Sequence, residues 1–152
     1  MYEEFSKKYP LLFRSTNEQE PINLFGIECG EGWKDILDLT FRLVYNRYKN
    51  SKKNLEFWEQ TKSTVRNVDP QILIEAKKRL QKDEDELPVV AQIKEKFGTL
   101  RIYCDNVNDY AAGVFDMAES LSGMTCEKCG ARGKQTGSSW IHTLCENCEK
   151  KT

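Results

Sequence analysis

Six cysteines carry most of the chemistry this sequence offers, and four are spaced as a set: Cys126-x2-Cys129-x15-Cys145-x2-Cys148. A Cys-x-x-Cys knuckle presents two sulfurs from one turn, and two knuckles at this spacing supply the tetrahedral thiolate set that zinc prefers. Gly130 follows the first knuckle, where a positive φ is often needed. Between the knuckles, "ARGKQ", a "TGSS" turn and "WIHTL" read as a miniature hairpin. The pattern predicts a zinc ribbon over residues 123–152. Iron or an iron–sulfur cluster also fits four thiolates. A thioredoxin-type redox pair needs one Cys-x-x-Cys at a strand-to-helix junction, and a disulfide framework needs a secreted chain. Four protein thiolates saturate zinc and leave no position for an activated water, so the expected role of the metal is structural. It stands in for a core that so short a segment cannot build. Cys29 and Cys104 lie outside the set and read as packed residues, Cys104 on the apolar side of a strand.

Other catalytic constellations are missing from the pattern. His142 is the single histidine. A Ser-His-Asp triad would have to use it, and no nucleophile-elbow pattern accompanies it. The phosphate-cradling motifs G-x-x-x-x-G-K-[ST] and G-x-G-x-x-G do not occur. Carboxylates are plentiful, but nothing selects a pair for acid–base work. No catalytic residue is therefore named, and a binding protein is expected rather than an enzyme. The net charge of −1, from 23 Lys and Arg against 24 Asp and Glu, offers no global argument for nucleic acid or an acidic membrane. The start, MYEEFSKKYP, lacks the basic and apolar regions of a secretory signal, and no apolar run approaches the roughly 20 residues of a bilayer span. A cytoplasmic location without membrane contact is the expectation.

The elements that must position these residues follow from periodicity. A short helix is expected over Glu3–Tyr9, ending before Pro10, and a loop over 15–21. After "GEGW", the residues Trp33, Ile36, Leu37, Thr40, Phe41, Val44 and Tyr48 form an apolar stripe of helical period, with Gly30 and Gly32 as a turn leading in. Asn50–Asn54 reads as a polar break before a second helix near 55–65. Asp69-Pro70 is an N-cap and first-turn signal for a third, which should dissolve into the acidic loop "KDEDELP". Residues 50–87 thus read as a peripheral helical segment. The period then becomes two: "PVVAQIKEKFGTLRIYCD" predicts a hairpin over about 88–104, with Val89, Ala91 and Ile93 facing Leu100, Ile102 and Cys104, and Ile93 opposite Ile102. A two-residue Phe97-Gly98 turn would force a positive φ on Phe97, so a four-residue loop with Gly98 left-handed is expected. Asn106 or Asn108 caps a final helix whose stripe is Val107, Ala111, Val114, Phe115, Ala118 and Leu121, stopped by Ser122-Gly123. The fold class is α+β, with residues 1–122 as a helical and hairpin domain and 123–152 as the ribbon.

This register makes the outer face of the hairpin unusual. Lys94 falls opposite Arg101 and Gln92 opposite Tyr103, with Lys96 by the loop. Like charges across a ladder destabilise it, and an anion between them would relieve this. Tyr103 could stack on a ring. Trp140 and His142 point to the same side of the ribbon and would complete a pocket if the ribbon folds back on the hairpin. Against this stands a solvated basic face relieved by nearby carboxylates, with Trp140 as the ribbon's own core.

The segments "GEGW", "QIKEKFGTLRIY", "AESLSG", "CEKCG" and "WIHTLC" together resemble a family of small proteins of tailed bacteriophages and prophages. The resemblance covers roughly residues 28–37 and 89–148 and excludes 50–87. It rests on Gly32, Trp33, Lys94, Glu95, Lys96, Phe97, Gly98, Leu100, Arg101 and the four cysteines. Many members close the last segment with a Cys-x-x-His-like pair where this chain has Cys145 and Cys148. The resemblance implies no particular activity, but it implies a phage protein at work in the bacterial cytoplasm. The expected function is stoichiometric binding by a zinc-ribbon protein, in host takeover or in countering bacterial defence, with a host protein as partner. Two alternatives stand beside it. One is a sponge for a small anionic ligand such as a signalling nucleotide, held by Lys94, Lys96, Arg101 and Tyr103. The other is a nucleic-acid-binding or transcription-associated ribbon.

Overall fold

The computed structural model describes residues 1–65 and 67–151. Its first helix, α1 (Tyr2–Lys8), stops ahead of Pro10 as the sequence predicts and sends Phe5 inward. Two small elements that follow the expected 15–21 loop were not foreseen: α2 (Pro21–Phe25), with proline in its first turn, and β1 (Ile27–Glu28). A 3-10 turn over Glu31–Trp33 leads into α3 (Lys34–Thr64). Then come α4 (Pro70–Asp85), β2 (Val89–Lys96), β3 (Thr99–Asp105) and α5 (Asp109–Ser122). The chain closes with β4 (Lys134–Thr136), β5 (His142–Leu144) and α6 (Glu146–Glu149). The architecture is α+β. A three-stranded sheet of order β1-β2-β3 is covered by helices, and β4 and β5 form a separate two-stranded ribbon.

The core gathers Phe5, Tyr9 and Leu12 from the N-terminus, Trp33, Leu37, Phe41 and Val44 from the approach to and first half of α3, and Val90, Ile93 and Leu100 from the sheet. Phe41 is its centre. The rings of Phe5, Phe13 and Tyr9 meet it edge-on at 5.4, 5.5 and 5.8 Å, a geometry that suits aromatic quadrupoles. Asp69 caps α4 by accepting from the Gln71 N–H at 2.9 Å, and Asn108 caps α5 by accepting from Ala111 at 2.9 Å. No described helix is long and apolar enough to cross a membrane.

Three expectations need correction. First, α3 runs unbroken through Asn50–Asn54 for 31 residues. Asn, Ser and Lys lower helix propensity by only tenths of a kcal/mol each, about 0.7 at most. Ser51 instead finds a partner: it is buried, and its hydroxyl donates to the Asp83 carboxylate of α4. That contact also explains why α4 extends into "KDEDELP". Asp83 lies fully inside the helix pair, held by Arg47 Nε at 2.7 Å. Second, β2 carries a bulge between Val90 and Gln92. The extra residue shifts the alternation, so Val90 and Ile93 reach the core where Val89, Ala91 and Ile93 were expected. Ile93 still pairs with Ile102. Third, Lys96 pairs with Thr99, so the hairpin turn is the two-residue Phe97-Gly98 turn that φ arguments disfavour, with Phe97 at φ 54° and Gly98 at 76°. The reason lies in the ribbon that packs on this turn.

Candidate metal centre

The first knuckle is built by backbone hydrogen bonds. Cys126 N–H donates to Ala131 at 2.7 Å, and Gly130 N–H donates to Cys126 at 2.9 Å. Gly130 takes φ 77°, as its position predicts. The second knuckle is the start of α6, with Cys145 as its N-cap and Cys148 N–H donating back to Cys145 at 3.0 Å. Between them Gln135 pairs with Thr143 in the β4–β5 ribbon. The four Sγ atoms lie within 4.8 Å of one another, and those of Cys129 and Cys145 are 3.6 Å apart. A disulfide would bring sulfurs to about 2.05 Å. A tetrahedron with metal–sulfur bonds of about 2.3 Å puts them about 3.8 Å apart. The four cysteines could therefore hold one metal ion, and they are the one such cluster among the described residues.

The electrostatics agree with a cation site. Burial opposes ionisation of Cys126, but the backbone N–H groups of Cys145, Cys129 and Lys128 outweigh it and hold the thiol at about 6. The neighbouring thiols of Cys129 and Cys145 push Cys148 up to about 12. Cys29 and Cys104 take no part. Burial first, then nearby carboxylates, pushes each to about 12, and both pack against the core.

The signal that sequence reading missed is how the knuckle is clamped to the body. Gly30 and Gly32 were expected to form a turn, yet neither has a positive φ. They are glycines because the knuckle backbone passes against them. A Cβ on Gly32 would lie 2.2 Å from the Cys126 carbonyl oxygen, and one on Gly30 would lie 2.0 Å from that of Glu127. Gly32 N–H donates to Glu127 at 2.8 Å. Next to it, fully buried Trp33 donates its indole N–H to the Thr125 carbonyl at 2.7 Å. The pair of glycines around one residue, followed by Trp, was the readable sign of a close approach. At the other end of the ribbon, Thr143 donates its hydroxyl to the Gly98 carbonyl, and Gln135 donates to that of Phe97 at 3.3 Å. A Cβ at Gly98 would fall 2.9 Å from Ile141. These contacts hold the tight turn and its left-handed Phe97.

The hairpin's outer face has the expected register, Lys94 opposite Arg101 and Gln92 opposite Tyr103. Carboxylates lie among its cations. Arg101 is bound by Glu119 of α5, and Glu28 of β1 is the parallel neighbour of Lys94 and accepts from Gln92 at 3.2 Å. The Lys94 ammonium sits 5.5 Å from the Tyr103 ring centre. The ribbon does fold back on the hairpin, but it meets the turn rather than this face. An open groove of about 340 Å³ joins Lys96 and Phe97 to Ser139, Trp140 and Ile141. Trp140 is 69% exposed and Phe97 65% exposed, so Trp140 is not the ribbon's core. His142 lies 6.2 Å from the Trp140 ring, and its Nδ1 is 2.9 Å from Glu127 Oε1. Of the six expected binding residues, Lys96 and Trp140 share the groove with His142 beside them, while Lys94, Arg101 and Tyr103 remain on the sheet. Comparison with protein families, curated proteins and solved structures finds no match to this chain.

Proposed function

We propose that the four cysteines hold a single structural zinc ion and that the protein acts by stoichiometric binding rather than by turnover. The observation that carries this reading is the closeness of four sulfurs from two backbone-built knuckles. Such a set supplies every ligand zinc takes in a structural site, and with no open position the ion neither activates water nor polarises a substrate. Its effect is mechanical. It locks the ribbon between the Gly30–Trp33 clamp and the Phe97-Gly98 turn, and so holds Trp140 and Phe97 on either side of one groove. Exposed aromatic side chains on a rigid frame are typical anchors for a macromolecular partner. Such a partner would be a protein of the bacterial host. The likeness of "GEGW", "KEKFG" and the cysteine set to small tailed-phage proteins supports a phage setting, in the host cytoplasm, with host takeover or counter-defence as the role. Glu28 and Glu119 beside Lys94 and Arg101 weigh against an anion on the hairpin's outer face.

Elemental analysis of protein purified under reducing conditions tests the reading, together with the absorption spectrum of the cobalt-substituted form. One zinc per chain and the intense bands of a tetrahedral tetrathiolate are expected. A chain without stoichiometric metal, or one with iron–sulfur absorption, would sink it.

A further inference from the structure

The middle of α3 carries an imbalance that the metal reading does not use. Residues 39–55 hold five cations, Arg42, Arg47, Lys49, Lys52 and Lys53, and no carboxylate. Arg47 is matched by Asp83 across the helix pair, and at the start of the helix Lys34 is matched by Glu4 at 2.7 Å. Lys49, Lys52 and Lys53 are exposed, and among the described residues none of them lies in an ion pair. All three line one open groove of about 400 Å³. Its other wall is apolar: Pro10 and Leu11, from the chain after α1, and the half-buried ring of Tyr48, braced edge-on by Tyr45 at 5.2 Å. Glu56, one turn beyond Lys52, is the single carboxylate in the lining.

We infer that this groove binds a nucleotide, its phosphate chain on Lys49, Lys52 and Lys53 and its base against Tyr48 and Leu11. Three ammonium groups with a single carboxylate, Glu56, among them leave a net positive charge in the groove, and a multiply charged anion offsets it while a neutral ligand does not. The geometry also sets the size of the anion. Lys49 to Lys53 spans four residues, about 6 Å of helix axis. The cations therefore converge on one compact group of phosphates. A polynucleotide needs a track of cations longer than one turn. A volume of about 400 Å³ falls in the range of small-molecule sites, roughly 300–1,000 Å³, and an aromatic ring beside the cations suits stacking of a flat base. The inference stands apart from the zinc reading, since no residue of the groove touches the ribbon's cysteines.

Calorimetric titration of the full, metal-loaded chain with ATP, AMP, inorganic triphosphate and a single-stranded 12-mer tests it. ATP should bind, with AMP at least tenfold weaker. The double variant Lys52→Glu/Lys53→Glu should lose at least tenfold in ATP affinity, while Lys77→Glu on the exposed side of α4 leaves it unchanged. Tyr48→Ala should weaken ATP but not triphosphate. Helical circular dichroism and metal content measured on each variant keep a loss of binding distinct from a loss of fold or of the zinc site. Absence of ATP binding, an unchanged double variant, equal losses for ATP and triphosphate in Tyr48→Ala, or a 12-mer that binds tenfold tighter than ATP would each overturn the assignment.

Discussion

Residues 1–122 and residues 123–151 are stabilised by different physics. The first part buries a continuous set of large side chains, with Trp33, Phe5, Phe41, Leu37 and Ile93 essentially without exposure. The second buries Cys126, Thr143 and Leu144 and leaves its largest side chain, Trp140, 69% exposed. Burying a Leu or Phe side chain contributes about 1.5–3 kcal/mol, so the body can fold on apolar area, and the ribbon cannot. The contrast extends to how each part is oriented. The body positions its elements by interdigitated side chains. The ribbon is positioned by backbone laid on backbone at Gly30 and Gly32 on one side, and by the side chains of Ile141, Thr143 and Gln135 on the Phe97-Gly98 turn on the other. A unit with little core of its own needs such close contacts to present a surface at a fixed angle.

The largest break in that comparison is expected from Cys126→Ser. On the proposed zinc reading, loss of one ligand forfeits part of a metal-binding free energy that is of the order of 10 kcal/mol for a complete structural zinc site. Hydrogen exchange should rise sharply across 123–151, while the amides of α3 around Phe41 stay protected. Equal deprotection of both parts would show that the body also depends on the metal. Gly32→Ala comes next. The new methyl would meet the Cys126 carbonyl with no flexible side chain to yield, so denaturant unfolding should show a loss of about 3 kcal/mol. The indole N–H resonance of Trp33 should shift as its bond to Thr125 breaks. Full stability in this variant would refute the clamp.

Asp83→Ala addresses the body alone. It leaves Ser51 and Arg47 without their buried partner, and about 2 kcal/mol of destabilisation is expected, reduced from the buried-pair value because Arg47 can turn to solvent. Metal affinity should not change; a parallel loss would mean that the helix pair and the ribbon are coupled. The smallest effect, and one of opposite sign, is expected for Phe97→Asn. Asparagine tolerates the left-handed region that Phe97 occupies at φ 54°, and the change should stabilise the chain by about 1 kcal/mol. If Phe97 anchors a partner, this more stable variant binds it more weakly.

Legibility differed between the two parts in the same way. The cysteine set, its Gly130 and its miniature hairpin could be read directly, because metal coordination needs particular residues at particular spacings and little else. The stripe of α3 and the pairing of Ile93 with Ile102 were equally readable from period. The continuity of α3 was not, because Ser51 is polar by sequence and becomes helical and buried only when Asp83 of α4 reaches it. The bulge at Val90/Gln92 was hidden as well. Val89 and Val90 are identical in type, and only the approach of the core decides which faces inward.

By itself, then, the sequence determined the α+β class, the pairing of Ile93 with Ile102, the helix cap at Asp69 and the four cysteines that come together as a candidate metal site. These rest on local rules: side-chain period, capping chemistry and ligand spacing act within a few residues. The docking of the ribbon, the left-handed Phe97, the Glu119 carboxylate that pairs with Arg101, the placing of Glu28 beside Lys94 and the lysine groove on α3 were decided only by the tertiary structure. Each depends on distances between groups far apart in the chain, such as Gly32 and Cys126 or Leu11 and Lys52, and no local propensity encodes those distances.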